Sequence, residues 1–487
     1  MTRQVEVRSG MYRDSVGLMQ VSRDLRALDG VSSALVAMAT ELNVDLLVSM
    51  GFEQPDGVTP SDLIVGIEAA DEDAIARAHT ALDSALAAGP SGAGLSDGSR
   101  EVPPPTILAA ARRAPAQLAL ISTPGRVAAI DAADALAAGL DTMIFSDNVS
   151  VEHEVALKEI AADTGLLLMG PDCGTAVVAG VGLGFANVVR PGPVGIVAAS
   201  GTGAQHLMAL LDGVGIGVTH CLGVGGRDMS SAVRARSTLT ALDRLDADDT
   251  VSTIVVVSKP PAAEVAELVT AHAERLTTRT VLGYLGAGQP DLTATAERVA
   301  AAVGLSWVAP RRWGGPVPTS RQGFLRGLFV GGTLCDEAML IATSELGVVA
   351  SNIPLDGGRR LDASLTATGH TFLDFGDDAM TVGRPHPMID PSLRLERLEQ
   401  ELADPTCAVV LLDIVLGVAA HRDPASDIAA LVRQYDTPVV VALIGTRDDP
   451  QGLEAQATAL AEAGALVHAS NAAATREAIA LVRRSRA

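Results

Sequence analysis

Two patterns of apolar residues alternate along this chain. Short continuous apolar runs are typical of strands buried on both faces, whereas apolar residues at every third or fourth position are typical of helices. Strands and helices that alternate at βαβ spacing predict parallel sheets with helices on both faces, so the expected fold class is α/β with several doubly wound domains. The clearest strand patterns lie at 118–122, 143–146, 166–169, 194–199, 218–224, 254–258 and 281–285, and helical patterns at 128–138, at 151–164 and from 200 to 211.

The first 88 residues carry the same alternation on a smaller scale. The stretch after them, 89–106, is rich in glycine and serine and ends in three prolines, which is typical of a linker between domains. We therefore expect a small N-terminal α/β module. Its predicted strands lie at 5–7, 31–37 and 63–67, and its predicted helices at 15–25, 41–50 and 73–87.

The last third of the chain follows a second linker-like stretch. It opens with a long helical pattern, and clear strands follow at 409–413 and 439–444, which predicts a third, flavodoxin-like layer. The predicted organisation is a module at 1–88, a linker at 89–106, domains at 107–190 and 191–308, a linker at 309–319 and a domain at 320–487.

Composition narrows the possible functions. The 487 residues include 58 acidic and 36 basic side chains, a net charge of −22, and there is no basic stripe to bind nucleic acid or an anionic membrane surface. No apolar run is long enough to span a bilayer, and the first residues lack a signal core. Four cysteines lie far apart with no CxxC pair, as in reduced cytosolic proteins. We expect a cytoplasmic protein without nucleic-acid or membrane partners.

Glycine-rich turns at strand ends are the first candidates for chemistry. Ser200, Gly201, Thr202 and Gly203 follow a buried strand and begin a helix, whose first amides form an anion site. A simple capped turn explains the same residues equally well. The segment Gly331-Gly332-Thr333, with Asp336 and Glu337, is a second candidate for a helix cap that holds an anion. Its alternative interpretation is an interruption inside an ordinary glycine-containing helix.

Charged residues near other strand ends and in a loop complete the candidate set. Asp172 follows a strand and precedes Cys173, which is better interpreted as a buried thiol than as a nucleophile. The candidate set further contains Gly225, Gly226, Arg227, Lys259, Arg384 and His386. His386 is a candidate acid or base, although a loop histidine is usually only exposed. An acidic turn without metal is favoured over a cation site at Asp374, Asp377 and Asp378, and no metal is predicted.

Seven motifs in order make the chain resemble FdrA proteins, which are relatives of succinyl-CoA synthetase and other NDP-forming acyl-CoA synthetases. The motifs are GPDCGT (170–175), ASGTG (199–203), GVGGRD (223–228), SKPP (258–261), GGTLCDEA (331–338), FLDFGDD (372–378) and GRPHPMIDP (383–391). The resemblance implies a CoA-binding Rossmann domain at 107–190, a synthetase α-like flavodoxin domain at 191–308 and a β-like CoA-ligase domain at 320–487. It also implies that Ser200–Thr202 and Gly331–Thr333 bind one phosphate from two sides.

The chain departs from the synthetases in one stretch. Their phosphorylated histidine lies in a glycine-rich loop, but residues 283–290 here read GYLGAGQP without histidine. An ATP-grasp domain is also absent from the sequence pattern. The turn at 122–126 matches the expected CoA turn only in part, so CoA is a candidate ligand and no cofactor is assigned.

The resemblance implies a subunit of a hetero-oligomeric oxamate carbamoyltransferase in ureide degradation. It would convert oxalurate and phosphate into carbamoyl phosphate and oxamate, with Arg227, Lys259 or Arg384 binding the carboxylates. Two alternatives stay open: an acyl-CoA synthetase subunit that takes its nucleotide-handling domain from a partner, and a non-catalytic scaffold.

Overall fold

The structure is a computed structural model, and it describes most of the chain. The described residues are 2–9, 11, 13, 15–55, 57–87, 104–315, 322–367, 369–381 and 385–484. Most of the first predicted linker, residues 316–319 of the second, and Arg384 lie outside these residues. The chain divides into two compact units, the first from 1–103 with 381–390 and the second from 104–380 with 391–487.

The first unit contains a three-stranded antiparallel sheet in the order β1-β3-β2. Its core is formed by aliphatic side chains such as Leu25, Leu63 and Leu82. The segment 381–390 joins this unit, and Arg26 Nη2 lies 2.7 Å from Asp390 Oδ2. The elements are β1 (Thr2–Arg8), α1 (Ser15–Arg26), β2 (Val31–Met38), α2 (Glu41–Ser49), β3 (Leu63–Ala69) and α3 (Glu72–Ala87).

The second unit begins with a small parallel sheet in the order β4-β5-β6. A hairpin follows, and its strands pair with the next sheet, although they precede the predicted boundary at residue 190. The elements are α4 (Ile107–Arg113), β4 (Leu118–Ile121), α5 (Gly125–Ala137), β5 (Asp141–Ile144), α6 (Val151–Thr164), β6 (Leu168–Met169), β7 (Thr175–Val178) and β8 (Val181–Gly184).

A six-stranded sheet follows in the order β12-β11-β9-β10-β7-β8. Its first four strands are parallel, and only the hairpin strands run antiparallel to their neighbours. Strands β9 and β11 are buried along their whole length, as their unbroken apolar runs predicted. The elements are β9 (Val194–Ala199), α7 (Gly201–Gly213), β10 (Val218–Gly223), α8 (Arg236–Asp246), β11 (Thr253–Ser258), α9 (Ala263–Ala273), β12 (Arg279–Tyr284) and α10 (Leu292–Ala302).

The last part of the unit forms an eight-stranded sheet in the order β13-β20-β19-β18-β14-β17-β15-β16, parallel except for β13. The first elements are β13 (Arg312–Trp313), β14 (Phe324–Phe329), α11 (Gly332–Leu346), β15 (Ala350–Ser351), β16 (Arg359–Arg360) and β17 (Thr371–Asp374). The remaining elements are α12 (Asp378–Thr381), α13 (Ser392–Ala403), β18 (Cys407–Val415), α14 (Pro424–Val432), β19 (Val439–Ile444), α15 (Leu453–Glu462), β20 (Leu466–His468) and α16 (Asn471–Arg484).

One sequence-based expectation about this region is wrong. The last third opens with strand β14, and only then with a helix, α11. Arg326 interrupts the apolar run of β14 and hides the strand in the sequence. In the structure this arginine is buried, and its Nε donates to Glu401 Oε2 at 2.9 Å, so the charge is paired inside the fold.

The α/β fold class with parallel sheets is confirmed. Each of the four cysteines is free and buried. Over the residues that the structure covers, the helices include none with the length and apolar character needed to cross a membrane.

Candidate functional site

The first turns of two helices meet in the second unit. Strand β9 is followed by Ser200, which caps α7, and β14 leads to Gly331, which precedes α11. The Ser200 hydroxyl accepts a hydrogen bond from Gly203 N at 2.9 Å and donates one to Thr333 Oγ1 at 2.6 Å. The two predicted anion turns, far apart in sequence, are therefore joined by a direct contact.

Glycines allow this close approach. A Cβ on Gly331 would lie 2.8 Å from Thr202 Oγ1, and a Cβ on Gly203 would lie 2.3 Å from Ser200 Oγ and 3.0 Å from Thr333 Cγ2. Contacts this short would force the two helix starts apart. The glycines are needed for the close contact between the helices, and their freedom to adopt unusual backbone angles is not used here.

The first amides of both helices are available to a ligand. Within the described chain, no acceptor is bonded to the backbone N–H groups of Gly201, Thr202, Gly332 and Thr333. Gly201 is exposed, so solvent reaches this point. Because a helix N-terminus carries unpaired donors and partial positive charge, two of them side by side favour an anion.

Lys259 adds a full positive charge at the start of α11. Its Nζ lies 2.8 Å from the position that a Cβ on Gly332 would take, and 3.6 Å from Asp336 Oδ2. The side chain keeps 39% of its surface exposed. Burial lowers the pKa of Lys259, but the carboxylates of Asp336 and Asp374 outweigh this and raise it above its ordinary value. The ammonium group therefore stays charged at neutral pH.

Asp374 lies at the end of β17, on the other side of Gly332. Its Oδ2 is also 2.8 Å from the position of a Cβ on Gly332, and its Oδ1 accepts from Gly376 N at 2.9 Å. Asn352 fixes its backbone from both sides, with bonds of 2.8 and 2.9 Å. Burial raises the pKa of Asp374 to about 7, although the charge of Lys259 opposes this.

Asp172 lies where two loops pack together. A Cβ on Gly225 would lie 2.6 Å from the carbonyl oxygen of Pro171, so only glycine fits at this position. A Cβ on Gly226 would meet open space. Asp172 reaches solvent, yet the protein that surrounds it displaces much of its water. That desolvation, together with the charge of Asp378, raises the pKa of Asp172 to about 7.

A buried ionic network anchors Arg227. Its Nε lies 2.9 Å from Glu154 Oε2, and its Nη2 donates to the carbonyl of Val149 at 2.8 Å. Lys158 Nζ donates to Glu154 Oε1 at 2.9 Å and to Asp228 Oδ1 at 2.7 Å, and all three of these ionic side chains are fully buried. The Nε and Nη2 atoms of Arg227 are therefore held by the protein, while 39% of the side chain stays exposed.

Sequence reasoning missed Glu154 and Lys158. A signal existed, because Glu and Lys four residues apart lie on one face of α6. That face also carries the buried Leu157 and Ala161. A charged pair beside the apolar stripe of a helix indicates a buried pair rather than a solvated one.

A second buried pair shapes the loop before α11. Asp413, in the last third of β18, accepts from Val330 N at 2.8 Å and from Gly331 N at 2.9 Å. Arg394 Nη1 lies 3.1 Å from its Oδ1. Burial raises the pKa of Asp413 to about 6, against the opposing effect of Arg394. An aspartate inside the apolar run of β18 was the sequence signal for this group.

The predicted site residues fall into three groups. Ser200, Gly201, Thr202, Gly203, Gly331, Gly332, Thr333 and Lys259 come together at the helix starts. Asp172 lies within electrostatic reach of both Lys259 and Arg227. Arg227 directly follows Gly225 and Gly226 in the same loop. His386 belongs to the first unit, where its Nδ1 accepts from Met388 N at 3.2 Å and burial lowers its pKa to about 4. Arg384 lies outside the described residues.

Two further side chains bear on the earlier interpretations. Cys173 is a buried thiol whose pKa burial raises to about 12, which does not suit a nucleophile. Asp374 lies beside the ammonium group of Lys259. Among the residues described by the structure, no three His, Cys, Asp or Glu side chains are grouped so that they could hold a metal ion.

Two known sequence families match parts of the chain. The CoA-ligase family matches residues 328–481, and the family described as "AllF, heavy metal-associated domain" matches residues 1–103. The second description implies a metal, but residues 1–103 contain no cysteine and a single histidine, His79. The stretch therefore has no thiolate, the ligand typical of heavy-metal sites, and does not fit such a metal.

Curated relatives cover the chain to different extents. YahF of Escherichia coli K12, an uncharacterized protein, is 37% identical over 506 residues, 97% of each chain. The alpha 2 subunit of the ADP-forming succinate–CoA ligase of Archaeoglobus fulgidus is 29% identical over 121 residues, 24% of this chain and 42% of that one. The alpha subunit from Staphylococcus aureus Mu50 is 26% identical over 178 residues, 35% of this chain and 56% of that one.

Solved structures match at low similarity. The dinucleotide-forming acetyl-coenzyme A synthetase 1 of Ca. Korarchaeum cryptofilum, with phosphate and ADP, has 16% identity and a TM-score of 0.31 over 79% of this chain and 87% of that one. The ATP citrate lyase of Methanothrix soehngenii has 18% identity and a TM-score of 0.33 over 40% of this chain and 37% of that one.

Proposed function

The chain belongs to the FdrA-like family, which includes YahF, and from that premise we propose that it is a subunit of an acyl- or carbamoyl-transfer enzyme. Its scaffold is of the succinyl-CoA-synthetase-like CoA-ligase kind. The proposed reaction is that of an oxamate carbamoyltransferase, in which oxalurate and phosphate give carbamoyl phosphate and oxamate. The observation that carries the proposal is the pair of helix starts joined at Ser200 and Thr333.

The geometry suits a phosphate group. Open amides at the start of α7 and α11 donate from two directions, and Lys259 adds a charge beside Gly332. Donors that are already fixed stabilise the negative charge that develops during acyl transfer without having to reorganise. Carbamoyl phosphate is an acyl phosphate, so the same donors serve phosphate as a substrate and as part of the product.

The small carboxylate substrate needs a second cation. Arg227 offers a guanidinium group that Glu154 holds at Nε. A planar guanidinium group in a fixed position suits the binding of a carboxylate. Arg384 is a further candidate from the sequence pattern. In this proposal the reaction depends mainly on holding two anions in place, which is costly in water and favoured in a preorganised site.

The lack of a histidine in the loop at 283–290 favours this reaction over nucleotide-driven ligation. A synthetase of the related kind passes phosphate through a histidine, and carbamoyl transfer to phosphate needs no such relay. We propose that other subunits of a hetero-oligomeric enzyme complete the site, in the cytoplasm, and that CoA binding is a feature of the scaffold rather than of the reaction.

The test is phosphorolysis of oxalurate by the chain co-expressed and purified with the proteins encoded beside it. Formation of carbamoyl phosphate that depends on this chain is expected. Ser200→Ala and Lys259→Met should each lower the rate, whereas Ser150→Ala, which removes the cap of α6 instead, should not. Arg384→Ala tests the predicted site residue outside the described structure. A complex that forms but makes no carbamoyl phosphate would exclude the reaction.

An acyl-CoA synthetase subunit is the second candidate. It is supported by the CoA-ligase family match over 328–481. This alternative predicts tight CoA binding by calorimetry and acyl-CoA formation when a nucleotide-binding partner is added. A non-catalytic scaffold, the third candidate, predicts that complex activity survives Ser200→Ala and Lys259→Met unchanged.

A further inference from the structure

Asp374 has one carboxylate oxygen that the fold does not use. The side chain is only 4% exposed, and Oδ1 accepts from Gly376 N. Oδ2 accepts no hydrogen bond from any residue in the described chain, and it is directed at the first residue of α11, Gly332. Because this oxygen is neither hydrogen-bonded within the described residues nor enclosed by them, it is open to a ligand at the candidate anion site.

The charges around Asp374 come from several elements. Lys259 follows β11, Asp336 lies on α11 and Asp413 lies within β18, and all three are within electrostatic reach. The thiol of Cys335 on α11 is buried nearby. Asp413 is paired with Arg394, so two cations, Lys259 and Arg394, face three carboxyl groups. The remaining excess of acid favours a proton held within the cluster.

The proposed reaction requires a proton at a defined atom. Breaking the bond between the carbamoyl carbon of oxalurate and its nitrogen releases oxamate, and an amide anion is a poor leaving group unless it is protonated. The phosphate must lose its proton as its oxygen bonds to the same carbon. A group that can both give and accept a proton beside the phosphate meets both needs.

We infer that Asp374 is the acid–base group of this site, and that it carries a proton between phosphate and the leaving nitrogen while Lys259 holds the phosphate. This inference rests on the proposed function. The carboxyl group of Asp374 gives its proton to the oxamate nitrogen as the C–N bond breaks, and the electron pair of that bond stays on nitrogen. The carboxylate then takes the proton of the hydrogen phosphate whose oxygen has bonded to the carbamoyl carbon. Atoms and charge balance, and Asp374 returns to its starting state.

Burial agrees with this role, because it raises the pKa of Asp374 to about 7, where a carboxyl group can give and regain a proton. This role of Asp374 also explains why residue 332 is a glycine. Its missing Cβ leaves open the point that both Asp374 Oδ2 and Lys259 Nζ approach to 2.8 Å. A methyl group there would separate the two side chains without removing either.

The main test compares Asp374→Asn with Asp377→Asn in the complete enzyme. Asp377 is three residues away and accepts a long bond of 3.3 Å from Ala379 N. We expect Asp374→Asn to lower kcat about 100-fold or more, with the KM for oxalurate nearly unchanged, because general acid–base catalysis contributes on that scale. It should also abolish the decline of kcat on the alkaline side of neutral pH. Asp377→Asn should behave like the wild type.

A second variant and a spectroscopic measurement guard against misfolding and an inactive preparation. Gly332→Ala keeps both charged groups and should lower kcat while phosphate still binds. Infrared spectra near pH 6 should show a protonated carboxyl band that Asp374→Asn removes and Asp377→Asn retains, with or without turnover.

Each outcome decides between the two proposals. An active wild type with an equally active Asp374→Asn variant, or with a loss confined to KM, overturns the role of Asp374 and leaves the proposed function intact. No phosphorolysis by the wild type overturns the proposed function, and the infrared band then decides whether Asp374 holds a proton. A missing band overturns the inference in either case.

Discussion

The hydroxyl of Ser200 lies 2.6 Å from that of Thr333, although 133 residues separate them in the chain. Ser200 caps α7, and Thr333 lies in the first turn of α11. This hydrogen bond joins two helix starts, one after β9 of the six-stranded sheet and one after β14 of the eight-stranded sheet. The candidate anion site exists only because these two starts are held together.

Removing the Ser200 hydroxyl should affect both stability and binding. Ser200→Ala removes the cap to Gly203 and the bond to Thr333, and we expect a loss of about 1–2 kcal/mol in the free energy of unfolding. Ser150→Ala, which removes a cap on exposed backbone at α6, should cost about 1 kcal/mol. Only Ser200→Ala should weaken phosphate binding in calorimetry. Equal phosphate affinity in both variants would contradict the site.

Lysine labelling can locate the phosphate directly. The chain contains two lysines, Lys158 and Lys259. Lys158 has no exposed side-chain surface, whereas Lys259 keeps 39%. An acetylating reagent at about pH 9 should therefore modify Lys259 and the N-terminal amine but spare Lys158, and peptide mass spectrometry would show this. The reaction should be slow, because nearby carboxylates raise the pKa of Lys259.

Phosphate should protect Lys259 and not the N-terminal amine, which serves as the internal reference. Sulfate at equal ionic strength separates a specific anion effect from general screening. Identical labelling of Lys259 with and without phosphate would place the anion elsewhere.

The buried lysine should matter for stability. Lys158→Met leaves Glu154 and Asp228 without their shared cation in a site closed to water. Breaking a buried ion pair on one side costs about 3–5 kcal/mol, so a large drop in the urea midpoint is expected. Arg483→Gln, which breaks a surface pair with Glu345, should cost less than about 1 kcal/mol. Similar losses in the two variants would mean that the buried network contributes little.

His206 should make stability depend on acid pH. It is completely buried on α7, and burial lowers its pKa to about 4. A lowered folded-state pKa means that the neutral ring stabilises the fold above the unfolded value near 6.5 and that this contribution is lost as pH falls towards 4. The loss from this residue amounts to about 3 kcal/mol over that range.

Chemical unfolding from pH 7 to pH 4 would measure this effect. His206→Gln should lose less stability across that range than the wild type, even if it is weaker at pH 7. His153→Gln, at an exposed position on α6, should follow the wild-type curve. Parallel curves for the wild type and His206→Gln would rule out this histidine as a source of acid sensitivity.

Most strands and helices of the parallel domains could be predicted because their apolar patterns are local. The helix at 151–164 and the strands at 194–199 and 439–444 match their predicted bounds. Strand β14 was missed because Arg326 interrupts its run. The hairpin β7–β8 was missed because both strands are short, and β8 contains two glycines and is half exposed. In each case a contact distant in sequence decides the structure.

The candidate site shows the same division. Its glycine-rich turns and Lys259 stand out in the sequence because turns after buried strands need small or capping residues. The partners of Lys259 could not be found in this way, because Asp336 and Asp374 look like an ordinary helix residue and part of an acidic turn. Similarly, the carboxylate that holds Arg227 belongs to Glu154, which lies on α6.

By itself, the sequence determined the α/β class, the alternation of strands and helices, the glycine-rich turns of the candidate anion site and the absence of a histidine at 283–290. These follow from local periodicity and residue type, which act over a few neighbouring positions. Only the tertiary structure decided that Ser200 meets Thr333 and that Lys259 and Asp374 approach Gly332 from two sides. Those relationships depend on how whole sheets pack, and packing is fixed by contacts between residues that the linear order keeps far apart.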